Sequence, residues 1–173
     1  MSAMPGPDVP DAEGALAALA AKMRDAVGHD AAFVGIYSGG AWLAERLAAM
    51  IPGNHRVGYV DVSYYRDDYA KSGLKGGAKR TDLGFDVDGA TIVLVDDVLY
   101  TGRSVRAAIN ELFDFGRPER VELAVLVDRG GRELPLQPDY VGVRLAVARN
   151  LSIELSKGPG GLLSIAVEPR SGN

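Results

Sequence analysis

No cysteine occurs among the 173 residues, which removes disulfides and thiolate metal sites from consideration. Histidine is scarce as well. His29 and His55 stand alone, with no second ligand at metal spacing, so each reads as part of a solvated turn. No apolar run approaches the ~18 residues that suggest a membrane span, and the N-terminus lacks the basic-then-apolar layout of a secretory signal. Cytoplasm is therefore the expected location, with no membrane partner. The net charge of −4 shows no general excess of Lys and Arg of the kind that marks a nucleic-acid binder. The usual nucleotide loops are missing too: there is no G-x-x-x-x-G-K-[ST], and no G-x-G-x-x-G following a strand.

What is present is a chain with 47% hydrophobic and 24% charged residues, sufficient for one globular domain with a substantial core. Residues 1–10, with three prolines and one glycine, read as a disordered lead-in; 11–173 reads as the single domain. From Asp11, the residues Leu16, Leu19, Ala20, Met23 and Val27 recur at helical spacing. "AFVGIY" (32–37) reads as a buried strand, "SGG" as a tight turn, and "AWLAERLAAMI" as a helix with Trp42 on its core stripe. Strand character returns at 57–65. The long, aperiodic stretch from Arg66 to Asp88 follows, and connections of that length are usually functional or mobile.

"TIVLVDD" then forms a strand, and 102–116 a helix with Val105, Ile109, Leu112 and Phe113 on one side. Another strand covers 120–130, and shorter strand-like pieces, 140–147 and 162–167, are separated by a polar, glycine-rich stretch. Continuous apolar strands alternating with helices point to an α/β fold, a mostly parallel twisted sheet flanked by helices. Ligands in such sheets sit beyond the carboxyl ends of the strands.

That rule gives meaning to the way Ile92–Val95 ends on Asp96 and Asp97. Residues Tyr100–Ser104 follow at a helix N-terminus, where unpaired backbone N–H groups and the helix dipole favour an anion. Thr101 and Ser104 add hydroxyls, Gly102 permits a positive φ, and Arg103 adds a cation. A phosphate suits this turn, and the two acids suit sugar hydroxyls beside it. Because neighbouring strand residues face opposite sides, both acids serve one ligand only if the strand bends at Asp97. A bare helix cap with solvated acids is the alternative, disfavoured by the density of such groups within nine residues. "DVDGAT" (86–91) faintly resembles the aspartate-nucleophile signature of haloacid-dehalogenase phosphatases, but it precedes a strand instead of ending one. Asp88 and Gly89 read as a turn.

"VLVDDVLYTGRSV" resembles the phosphoribosyl-pyrophosphate (PRPP) motif of type I phosphoribosyltransferases. Together with "VGIYSGGAWLAERLA", "DVSYYRDDYAK" and "LAVLVDRGGRELPL", it is similar to the PyrR family of pyrimidine-operon attenuators and uracil phosphoribosyltransferases, over roughly residues 33–143. The resemblance implies a type I fold with a flexible lid loop, Mg²⁺, and transfer of phosphoribosyl from PRPP to uracil, giving UMP and pyrophosphate. It implies that Asp96 and Asp97 hold the ribose hydroxyls and the metal. Tyr100, Thr101, Gly102, Arg103 and Ser104 would hold the 5′-phosphate, with Val98 and Leu99 also lining the substrate, and Ser38, Gly39 and Gly40 would face pyrophosphate. Gly39 stands where the family often has an arginine. Purine enzymes usually carry an acid immediately before T-G, and Tyr100 in that place disfavours a purine.

The segment containing Arg66, Asp67, Asp68, Lys71, Lys75, Lys79 and Arg80 reads as a lid over a polyanion, with Arg66 counted among the catalytic residues. Arg129 is expected near the substrate, with an ion pair to Asp128 as the competing role. The resemblance also permits a nucleotide-responsive RNA-binding attenuator, with UMP or UTP as effector and an mRNA leader as partner. Arg103, Arg106, Arg117, Arg120, Arg129, Arg132 and Arg144 are the candidates for that surface. A homodimer or tetramer is the expected assembly.

Overall fold

The computed structural model describes residues 8–63 and 81–170. Helix α1 (Ala12–Met23) begins at Asp11, whose carboxylate accepts the Gly14 N–H at 2.9 Å, a side-chain cap for an otherwise unpaired amide. Its Leu16, Leu19 and Met23 are fully buried. Strand β1 (Ala32–Ile36) is buried throughout, followed by α2 (Gly39–Met50) and β2 (Val57–Val60). Strand β3 (Thr91–Leu99), α3 (Arg103–Phe115), β4 (Arg120–Asp128) and β5 (Tyr140–Arg144) complete the main layer.

The five strands are all parallel, in the order β2-β1-β3-β4-β5. Parallel strands need crossovers, and right-handed crossovers leaving in opposite directions put their helices on opposite faces. Here α1 and α2 pack with Phe33, Val93 and Val95 on one face, while Val105, Ala108 and Leu112 of α3 pack with Val34, Ile92 and Leu94 on the other. Burying both faces explains why β1, β3 and β4 read as unbroken apolar runs, and each buried large side chain contributes roughly 1.5–3 kcal/mol. The order in which strands are added reverses between β1 and β3, with β2 on one side of β1 and β3 on the other, which makes the crevice above β1 and β3 the place for a ligand.

Three expectations need correction. The polar stretch at 154–157 belongs to a strand, β6 (Leu151–Lys157), which pairs antiparallel with β7 (Leu163–Pro169) as a separate two-stranded sheet. Its Ile153 and Leu155 alternate with polar neighbours and pack on the α1–α2 core. Phe113 is 54% exposed; Ala108 takes the core position on α3 instead. His55 is no solvated turn residue, since Nδ1 lies 2.7 Å from the Ala31 carbonyl and the ring meets Phe33 edge-on. His29 is exposed as expected. Trp42 packs against the core, with Lys157 5.2 Å from its ring.

Candidate active site

Two turns meet at the crevice. The first follows β1: Ser38 is exposed at the start of α2, while Gly39 and Gly40 are buried in its opening turn, and the Tyr37–Ser38 peptide is cis. A Cβ on Gly39 would stand 2.8 Å from Cγ of Asp97, and one on Gly40 would press on the Val95 carbonyl. The absence of side chains there lets the first turn lie directly on the strand-end acids.

The second turn follows β3. Side chains of Val93 and Val95 face α2, and those of Ile92 and Leu94 face α3. Beyond the acids the parity inverts: Val98 packs with the α2 side and Leu99 with the α3 side. The change of phase falls between Asp97, which lies beside Gly39 on the α2 side in step with Val93 and Val95, and Val98; it does not by itself turn Asp96 and Asp97 to one face. Asp96 is buried and its Oδ1 accepts the Asp97 N–H at 2.8 Å; Oδ1 of Asp97 accepts the Val98 N–H at 2.8 Å. Asp97 therefore faces the Ser38–Gly40 turn.

Tyr100 to Ser104 form the entry to α3. Gly102 has φ +95°, a conformation that other L-residues rarely adopt, and the Thr101 hydroxyl accepts the Arg103 N–H at 3.2 Å. The Arg103 guanidinium pairs with Glu133 at 3.0 Å, turning away from a role as free phosphate cation. The turn is fastened from behind by the segment after β4. Arg132 donates to the Tyr100 carbonyl (2.9 Å), to the Leu136 carbonyl (2.9 Å) and to Asp128 (2.8 Å), while Glu133 N–H reaches the Thr101 carbonyl at 2.9 Å. Asp128 is 3% exposed and also accepts from Arg144 and from the Gly130 N–H. Burial opposes its ionisation, but the Arg132 and Gly130 hydrogen bonds and the two guanidinium charges outweigh that and hold the carboxyl below its ordinary value.

Arg129 does not pair with Asp128. It is buried, donates to the Ala148 and Leu151 carbonyls, and stacks 3.9 Å from the Tyr100 ring centroid. Gly131, at φ +81°, leaves room for that ring, since a Cβ would lie 2.8 Å from its Cδ1. Tyr100, Arg129, Gly131, Arg132, Glu133, Val147 and Arg149 enclose a cavity of about 320 Å³ beside the turn.

The Phosphoribosyl transferase domain family matches residues 8–153. The "Bifunctional protein PyrR" of Ralstonia nicotianae is 49% identical over 168 residues, 93% of this chain and 96% of the relative. That of Pseudomonas aeruginosa is 48% identical over 123 residues, 71% of this chain and 72% of the relative. The chain belongs to the PyrR family. Among solved structures, a hypoxanthine phosphoribosyltransferase from Staphylococcus aureus is similar with TM-score 0.64 at 21% identity, covering 83% of this chain and 79% of that one. A hypoxanthine-guanine phosphoribosyltransferase from Bacillus anthracis gives 0.62 at 18%, covering 82% and 86%. At such identity these likenesses speak for the type I fold alone.

In this PyrR-family phosphoribosyltransferase, three contacts join residues expected from the sequence: the Ser38–Gly40 turn lies against Asp97, Tyr100–Ser104 lead from the same strand end into α3, and Arg129 stacks on Tyr100. Arg66 and the other expected lid residues lie outside the described residues. Of the seven arginines considered for RNA, Arg129 and Arg132 are turned inward, whereas Arg103, Arg106, Arg117, Arg120 and Arg144 are exposed. Sequence reasoning missed the Asp128–Arg132 clamp, Arg149 and Arg170. The clamp had a signal in "DRGGR", where two glycines allow the chain to double back, while the lining residues beyond Arg144 had none. Among the described residues no helix is long and apolar enough to cross a membrane.

Proposed function

We propose that this site transfers the phosphoribosyl group of PRPP to uracil, releasing UMP and pyrophosphate. The observation that supports it best is the meeting of the Ser38–Gly40 turn with Asp97 beside a left-handed Gly102 at the head of α3. In this reading the turn at residues 101–104 takes the 5′-phosphate, the acids take the ribose hydroxyls, and Ser38–Gly40 lies against pyrophosphate. The cavity beside Tyr100 takes the base.

A resident Mg²⁺ fits the donor set. Two adjacent carboxylates offer hard oxygen ligands, and among the described residues no third acid or histidine joins them in a cage, the pattern of an ion that keeps waters and shares substrate phosphates. Asp96 and Asp97 would hold it, and when bound it would neutralise charge on departing pyrophosphate. The transition state of this transfer carries positive charge on the ribose, so the chain's tasks are orientation, charge placement and exclusion of water. Asp97 supplies negative charge on the ribose side, and the turn amides hold the phosphate as a handle that fixes the anomeric carbon.

The test is incubation with PRPP, Mg²⁺ and each nucleobase in turn, with pyrophosphate measured. Uracil-dependent release is expected; Asp96→Asn with Asp97→Asn should cut PRPP use at least 100-fold while thermal unfolding shifts little. Activity surviving that double change would refute the site. A second reading, nucleotide-responsive binding of an mRNA leader with UMP or UTP in the same pocket, is favoured by the bifunctional name of the relatives. Tight leader-RNA binding with silence toward every base would select it. Light scattering tests the expected dimer or tetramer, and cell fractionation the expected cytoplasmic location.

A further inference from the structure

The charges around the cavity do not balance. Its one lining carboxylate, Glu133, is paired with Arg103, and Asp128 behind it is shared by Arg132 and Arg144. Three guanidinium groups remain. Arg129 lies against Tyr100, Arg149 lines the cavity, and Arg170, just after β7, stands 5.0 Å from the Tyr100 ring centroid. Among the described residues none of the three has a carboxylate partner. Arg129 is 7% exposed, and the two neutral carbonyls that accept its hydrogen bonds do not cancel its charge. Burial pushes its pKa down; Tyr100 opposes that more strongly than Arg170 adds to it, and burial still prevails.

A neutral pyrimidine needs donors and acceptors, not three net positive charges. A pyrimidine that has lost its N1 proton needs both, because the resulting charge spreads over the ring and onto O2 and O4. We propose that Arg129, Arg149 and Arg170 form an electrostatic cradle that makes N1–H of the bound base a stronger acid and so delivers the pyrimidine as its anion. The inference rests on the uracil reading above. The N1–H proton passes to water, the freed N1 lone pair forms the bond to C1′ of PRPP, and the C1′–O bond breaks with its electron pair leaving on pyrophosphate. Arg149 is the most direct handle, being exposed, part of the wall and, among the described residues, without a carboxylate partner.

The test compares uracil with 5-fluorouracil, whose N1–H is more acidic, in wild type, Arg149→Gln, Arg170→Gln and the distant control Arg117→Gln. For Arg149→Gln, kcat/KM for uracil should fall about tenfold and the acidic limb of its pH profile should move up by about one pH unit. The loss with 5-fluorouracil should be several-fold smaller, and Arg117→Gln should match wild type. Equal losses for both bases with an unmoved pH profile would reduce Arg149 to a simple contact and overturn the proposal. The fluorine NMR shift of bound 5-fluorouracil, titrated against pH without PRPP, reads the ionisation apart from catalysis. Its midpoint should lie below that of the free base and return toward it in both site variants. An active enzyme whose bound base shows no such lowering refutes the cradle and leaves the uracil reading intact. A lowered midpoint in a protein that releases no pyrophosphate does the reverse.

Discussion

Replacing Asp128 with alanine should be among the more damaging single changes in this chain, and the two ion pairs it makes should contribute very unequally. Asp128 is buried; Arg132 is 15% exposed and committed to two carbonyls besides, whereas the Arg144 side chain is 70% exposed. Breaking a buried pair from one side leaves the other charge stranded, at a cost of about 3–5 kcal/mol. A largely solvated partner contributes about 0–1 kcal/mol. Urea unfolding followed by the fluorescence of the single tryptophan, Trp42, reads both: with a slope of ~2 kcal/mol per molar, the midpoint should fall by about 2 M for Asp128→Ala and for Arg132→Ala, and by less than about 0.5 M for Arg144→Ala. The pH dependence carries its own sign. Because the folded-state value of Asp128 is lowered, its stabilisation is present above the unfolded value of ~3.9 and drains away as pH falls through the folded one. Asp128→Ala should therefore lose stability at neutral pH and flatten the decline below about pH 4. An alanine variant within about 1 kcal/mol of wild type, or an Arg144→Ala loss equal to that of Arg132→Ala, would refute the reasoning.

Two further changes probe separate links. Gly102→Ala places a side chain at φ +95° with its Cβ 3.2 Å from Leu136; a loss of about 1–3 kcal/mol should accompany weaker PRPP binding by calorimetry, and unchanged affinity would remove the turn from the phosphate site. Glu13 accepts two hydrogen bonds from Arg46 and one from the Leu163 N–H, which hold its carboxyl below the ordinary value despite partial burial. Glu13→Gln should cost about 1 kcal/mol above the unfolded value of ~4.3 and progressively less below it, with faster hydrogen exchange at Leu163; equal exchange in the two proteins would sink the idea that this carboxylate docks β7.

The sheet was legible because burial on both faces writes long apolar runs, as in Ile92–Val95 and Leu123–Val127, and such runs admit few other structures. The strand-end acids and the glycine of the following turn were legible because their types are chemically expensive to place there without a ligand. Strand β6 was obscured by Ser152, Glu154 and Ser156, which face outward from a hairpin covered on one side only, and by the Gly–Pro–Gly–Gly that closes it. Phe113 followed the helical period but fell one position beyond the buried stripe. The cavity's far wall was illegible for a deeper reason: Arg149 and Arg170 reach Tyr100 through tertiary folding, and no local spacing announces a meeting between residues so distant in the chain.

The Glu13 contact to Leu163 joins residues 150 positions apart, and Arg170 closes on Tyr100 from the same hairpin. A ribosome emits the strand-end acids and their turn well before it emits the hairpin that walls the neighbouring cavity. The strand-end acids and the turn after them are thus complete in the nascent chain while the far wall of the cavity beside Tyr100 is still being translated.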